Sequence, residues 1–168
     1  MPSLRKRPLK ARRAASQPDD PAAAELAAVG LLARRDYASA DLAARLCERG
    51  YEAGVVATLV ADLQERRVLD DARYAGHYVS YHAGRGQGPA RIRRDLDTLG
   101  VAAPLIDEAL AAGPDWAALA RDVRRRRFGA EPPAEWAEKG RQARFLQYRG
   151  FSNDHIRLAL GPDFELDP

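Results

Sequence analysis

The apolar positions of this 168-residue chain recur every 50 residues. Gly50, Gly100 and Gly150 mark the period, and four positions before each stands Leu46, Leu96 or Leu146. Eight before come Leu42 and Ile92, with Gln142 breaking the series. One after come Tyr51, Val101 and Phe151; six after, Val56, Ile106 and Ile156; ten after, Val60, Leu110 and Leu160. A fixed period with matched apolar positions means one supersecondary unit copied along the chain. Positions −8 and −4 share one face of a helix that ends at the glycine, which suits a left-handed C-terminal cap because it has no Cβ to clash. Positions +6 and +10 open a second helix, with Ser152 or Asn153 as N-cap in the third copy. A third helix lies upstream. Asp20-Pro21 starts it in copy one, Asp70 with Asp71 beside it in copy two, and Gly113-Pro114 is the best start in copy three. The third copy carries about seven extra residues, placed at Gly129 to Glu135. No segment alternates as a strand does. The predicted fold is all-α: three tandem three-helix repeats over 20–69, 70–112 and 113–161, forming an elongated array. A basic tail over 1–19 and a C-terminal tail over 162–168 flank it.

Composition agrees with an array. A lone unit of about 50 residues is marginal, whereas stacked units bury continuous apolar surface. No apolar stretch reaches the ~20 residues that span a bilayer. The basic start lacks the apolar core of a secretion signal. The single cysteine, Cys47, excludes an internal disulfide framework and suits a reducing cytoplasm. It reads as a small buried or half-buried residue.

Charge is unevenly placed. The chain has a net +3, but residues 1–18 hold six basic and no acidic residues. The remaining 21 basic and 24 acidic residues leave a body of net −3. Such a tail is expected to be disordered and to attract phosphate. A mildly acidic body argues against a protein that coats DNA with its whole surface.

Several groups of residues carry candidate chemistry. Arg124, Arg125, Arg126 and Arg127 spread over most of a helix circumference, so they cannot all pack inward. They read either as a solvated face or as guanidinium forks for phosphate or an acidic surface. Arg91 and Arg94 are three apart on the middle helix of the second copy, and Arg141 and Arg144 repeat that spacing in the third, which suggests a shared basic stripe. Gly84-Arg85-Gly86-Gln87-Gly88-Pro89 reads first as a flexible turn, with anion contact through its amides and Arg85 as the lesser reading. Tyr74, Tyr78 and Tyr81 share a helical face and read as core. Trp116 fits a core position at a helix start, and Trp136 falls by the insert. His77, His82 and His155 lack both metal-ligand spacing and a partnered nucleophile. No cofactor site and no catalytic constellation is expected, and the protein should act by binding.

Four stretches resemble the RecX family: Val68-Leu69-Asp70-Asp71-Ala72-Arg73-Tyr74-Ala75, Arg85-Gly86-Gln87-Gly88-Pro89-Ala90-Arg91-Ile92-Arg93-Arg94-Asp95-Leu96, and, at the two ends, residues 31–42 and 142–152. The resemblance covers roughly residues 22–161. Glutamine at 87, where an aromatic is common, and the proline-containing insert depart from it. It implies three three-helix modules in a curved rod that bind RecA, as monomer and in the groove of its filament on DNA. It also implies suppression of strand exchange, ATP hydrolysis and coprotease activity, and so regulation of DNA repair and the SOS response. The alternatives are a small helical DNA-binding protein that acts on DNA directly and, more weakly, a generic helical scaffold. The expected partners are RecA and DNA, the latter weakly through the tail, with no membrane and no dimerisation signature, so a monomer.

Overall fold

A computed structural model describes residues 17–161; most of the basic tail and all of the C-terminal tail lie outside them. Among the described residues there are nine helices and no strand. They are α1 (Pro21–Leu32), α2 (Ser39–Cys47), α3 (Ala53–Glu65), α4 (Asp71–Gly84), α5 (Pro89–Thr98), α6 (Ala103–Ala111), α7 (Trp116–Phe128), α8 (Trp136–Arg149) and α9 (Asn153–Leu160). The chain forms two compact units. One comprises 17–37 and 41–69, and the other 38–40 and 70–161.

The periodic residues are the ones that build the cores. Leu46, Leu96 and Leu146 are fully enclosed, each within a separate apolar cluster. Leu42, Ile92, Val56, Ile106 and Ile156 join them, each at most 2% exposed. The three marker glycines sit just past a helix, with φ of 93°, 77° and 91°. Each closes the same pair of capping bonds. The amides of Tyr51, Val101 and Phe151 donate to the carbonyls of Leu46, Leu96 and Leu146 at 3.3, 3.1 and 3.1 Å. The glycine amides donate to Cys47, Asp97 and Gln147. This is the Schellman arrangement, whose left-handed residue is strongly favoured to be glycine. It turns the chain into the third helix of each repeat and brings Val101 and Phe151 into the core.

Helix starts follow local chemistry. The Asp20 and Asp70 carboxylates accept from the amides of Ala22 and Arg73, and Ser152 accepts from His155 in a capping box. In the third repeat the cap is Asp115, which accepts from Ala118, so α7 begins two residues beyond the Gly113-Pro114 signal. The polar cap outweighs the proline because its side chain satisfies an otherwise orphan amide. The extra residues form the loop between α7 and α8.

Two expectations about individual side chains fail. Cys47 is exposed, because it lies on the turn of α2 that faces away from Leu42 and Leu46. Tyr74 and Tyr78 pack on the second core, but Tyr81 is 61% exposed and carries Arg85 over its ring.

Candidate functional site

The second compact unit holds two three-helix bundles, α4–α6 and α7–α9, and they meet at a joint made of glycine. The turn between α4 and α5 lies against the end of α8. The Gly88 amide donates to the Arg149 carbonyl at 2.8 Å, and the Ala90 amide to the Gly150 carbonyl at 3.0 Å. A Cβ on Gly88 would lie 2.4 Å from the Gly150 carbonyl carbon, and one on Gly150 would lie 2.4 Å from the Arg91 Cβ. A Cβ on Gly86 would meet Val123 at 2.9 Å. Gly88 and Gly150 therefore let two backbones touch where a side chain would hold them apart, and Gly86 makes room for the Val123 side chain. The Arg149 guanidinium closes the contact by donating to the Arg85 carbonyl at 3.2 Å. The turn read from sequence as flexible is thus a fixed joint. Its Gly88 and Ala90 amides are spent on protein carbonyls and are not available to an anion.

The joint gathers arginines. Arg85, Arg126, Arg127 and Arg149 line a cavity of about 250 Å³, backed by Val123 and Phe145. Arg91 and Arg94 line a second cleft of about 400 Å³ beside Gln147 and Tyr148. Tyr148 is 78% exposed, with the Arg91 guanidinium 5.9 Å from its ring centre. The Arg91 Nε lies 4.0 Å from an Asp95 carboxylate oxygen and is buried without a hydrogen-bond partner. Arg85, Arg94, Arg126, Arg127, Arg144 and Arg149 have no acidic partner among the described residues.

The remaining candidates are engaged elsewhere. Arg124 is 5% exposed, so it does not belong to a surface patch. Its guanidinium donates to the carbonyls of Gly129, Ala130 and Glu131 at 3.2, 3.0 and 3.0 Å. It also reaches the buried Gln142 side chain at 3.4 Å, which donates in turn to Glu138. The polar residue that breaks the apolar series at position 142 is therefore half of a buried network that buckles the insert. Arg125 pairs with Asp122. Arg141 pairs with Glu138 through two hydrogen bonds. Those bonds, with a smaller one from Gln142, hold the Glu138 carboxyl below its usual range. Arg91 and Arg94 do not share an environment with Arg141 and Arg144, despite the 50-residue spacing. Arg91 and Arg94 line the cleft at the joint, which Arg141 and Arg144 on α8 do not.

Arg149, with Val123 as its wall, was not legible as a site residue. The available signal was the density of glycines in the 84–88 turn together with an arginine immediately before Gly150. No group of acidic, histidine or cysteine residues suited to hold a metal is present among the described residues. No helix among them is long and apolar enough to cross a membrane.

Glycine-capped three-helix bundles in series, joined backbone to backbone, define a tandem helical-repeat protein. Family models of the second and third three-helix domains of RecX match residues 70–110 and 115–160. A regulatory protein RecX from Halorhodospira halophila is 48% identical over 142 residues, covering 84% of this chain and 88% of that protein. One from Pseudomonas fluorescens is 41% identical over 140 residues, covering 82% and 90%. A crystal structure of regulatory protein RecX superposes with a TM-score of 0.70 at 25% identity, covering 83% of this chain and 70% of that one. The RecX fold from Lactobacillus salivarius gives 0.72 at 17% identity, covering 83% and 93%. The chain belongs to the RecX family of regulatory proteins.

Proposed function

We propose that this protein binds RecA–DNA filaments in the filament groove and mainly inhibits recombinase, ATPase and coprotease activity, thereby regulating DNA repair and the SOS response. Family membership supplies the regulatory role. The observation that carries the contact is the cluster of arginines at the joint of the second and third modules, of which only Arg91 has an acidic neighbour, Asp95. A fixed joint presents charges from both modules in one arrangement, so little conformational freedom is lost on docking. Contacts from two linked modules reinforce each other through effective concentration. The action is one of binding and not of catalysis, because the arginines offer charge and hydrogen-bond donors but no acid–base pair.

The test is inhibition of RecA ATP hydrolysis by full-length protein. Arg91→Glu with Arg94→Glu should weaken inhibition strongly. Arg141→Glu with Arg144→Glu should weaken it less, since Arg141 is already paired with Glu138. Full inhibition by both variants, with unchanged circular dichroism, would overturn the contact assignment. Tighter binding to bare DNA than to RecA–DNA filaments would favour a DNA-binding protein instead.

A further inference from the structure

Charge is divided unequally between the two compact units. The unit of 17–37 and 41–69 holds nine acidic and six basic residues, and that of 38–40 and 70–161 holds 12 acidic and 15 basic. Residues Pro162-Asp163-Phe164-Glu165-Leu166-Asp167-Pro168 lie outside the described residues and bring three acids and no base. They equal the basic surplus of the second unit and are of like sign to the first. Their acids alternate with Phe164 and Leu166. Successive side chains of an extended chain point to opposite sides, so one side would be acidic and the other apolar. The cavity at the joint offers the complement of both. Arg85, Arg126, Arg127 and Arg149 supply cations, and Val123 and Phe145 an apolar wall. A helix end favours cations, but Arg124 already binds the carbonyls beyond α7 and Arg125 is paired with Asp122. Arg126 and Arg127 are left exposed at the cavity without that role.

We infer that the acidic C-terminal segment, residues 162–168, is an autoinhibitory plug for this cavity. Asp163, Glu165 and Asp167 answer the arginines, while Phe164 and Leu166 cover the Val123–Phe145 wall. The point of attachment suits it: Leu160, the last residue of α9, belongs to the same buried cluster as Val123. From Gly161, seven extended residues reach about 23 Å. A tethered segment needs little affinity of its own, because the link holds it at an effective concentration on the order of millimolar. Exposed guanidinium–carboxylate pairs are individually weak and screened by salt, so a partner can displace the plug. The inference rests on the arginines of the joint being the contact surface, which the plug shields until a stronger polyanionic or acidic partner takes its place. A plug seated for about nine-tenths of the time lowers the apparent affinity for that partner about tenfold.

Two measurements on the full chain separate the plug from the contact it covers. In the first, a nitroxide on Pro168→Cys, with the exposed Cys47 changed to serine, should broaden the amide signals of Gly84, Arg85, Gly86, Arg126 and Arg127. Arg126→Glu with Arg127→Glu should restore them. No broadening there, or broadening that survives the charge reversal, would overturn the proposal. Broadening of an isotope-labelled chain by a separate nitroxide-bearing chain would assign the segment to a second copy, again against it. In the second, a chain ending at Gly161 should inhibit RecA ATP hydrolysis at about a tenfold lower concentration. Asp163→Asn, Glu165→Gln and Asp167→Asn together should reproduce that gain. The truncation should add nothing in the Arg126→Glu, Arg127→Glu background. Unchanged inhibition on truncation, with broadening present, would show that the segment shields nothing RecA meets and would overturn the regulatory role. Absence of inhibition by both chains would overturn the function proposed above and not the seating of the plug, which the broadening reports by itself.

Discussion

Gly88→Ala isolates the joint from every other source of instability. The residue sits at φ −85° and ψ 165°, which alanine adopts without strain, so backbone conformation adds nothing. The added methyl would fall 2.4 Å from both the carbonyl carbon and the oxygen of Gly150, and 2.5 Å from the Phe151 nitrogen. All three are main-chain atoms of a capped turn and cannot rotate away as a side chain would. The second and third modules must therefore either compress, at about 1–3 kcal/mol for overpacking, or separate. Separation gives up the Gly88–Arg149 and Ala90–Gly150 hydrogen bonds, each worth about 0.5–1.5 kcal/mol, together with the packing of Val123 on Gly86. Either route predicts a loss of roughly 2–4 kcal/mol. Gly84→Ala is the control: it lies four residues away on α4 with open space at its Cβ, so it should be neutral or stabilising by up to about 1 kcal/mol. Urea unfolding followed by circular dichroism compares the two. If Gly88→Ala unfolds within about half a kcal/mol of Gly84→Ala, the modules are not locked as described, and the reasoning fails.

Leu96→Ala, a truncation at a fully enclosed position, should cost about 2–5 kcal/mol in the same assay; a cost below about half a kcal/mol would place the inward face of α5 wrongly. Arg124→Ala should cost about 2–4 kcal/mol in the same assay by releasing three loop carbonyls and the Gln142 side chain. Arg124→Lys should not rescue it, because a point charge cannot reach three carbonyls as the fork does. The amide of Ala118 holds the Asp115 carboxyl below its usual range. Its stabilising contribution is therefore complete above the ordinary aspartate range and is lost as the pH falls through the lower folded value. The stability gap between wild type and Asp115→Ala should narrow on acidification, and a gap that stays constant down to full protonation would contradict the assignment.

The architecture was legible because it rests on periodic apolar residues and on glycines whose left-handed turn few other residues tolerate. Leu46, Leu96 and Leu146 announced three cores, and Asp20, Asp70 and Ser152 announced helix starts. The site was less legible. Arginine spacing along one helix predicts which side chains share a face, but it says nothing of what a neighbouring bundle brings to that face. Arg124 and Arg126 are two residues apart, and one is enclosed by the insert while the other opens on a cavity. The same limit hid Arg149, whose partner carbonyl at Arg85 lies 64 residues away in sequence. A break in a repeat proved as informative as the repeat: Gln142, the exception to the apolar series, is the residue that receives Arg124.

The Arg124 buckle also sets where foreign sequence can be grafted. The insert between α7 and α8 resembles surplus length, yet its first three residues, Gly129, Ala130 and Glu131, each commit a carbonyl to one guanidinium, and Pro133 is buried. A tag spliced into that stretch would displace the fork and leave a buried cation with the Gln142 side chain as its one remaining acceptor. Ala134 and Glu135 follow the last buried residue of the insert and precede α8, and both are exposed. A fluorophore or epitope entering between them would report on the third module without loosening it.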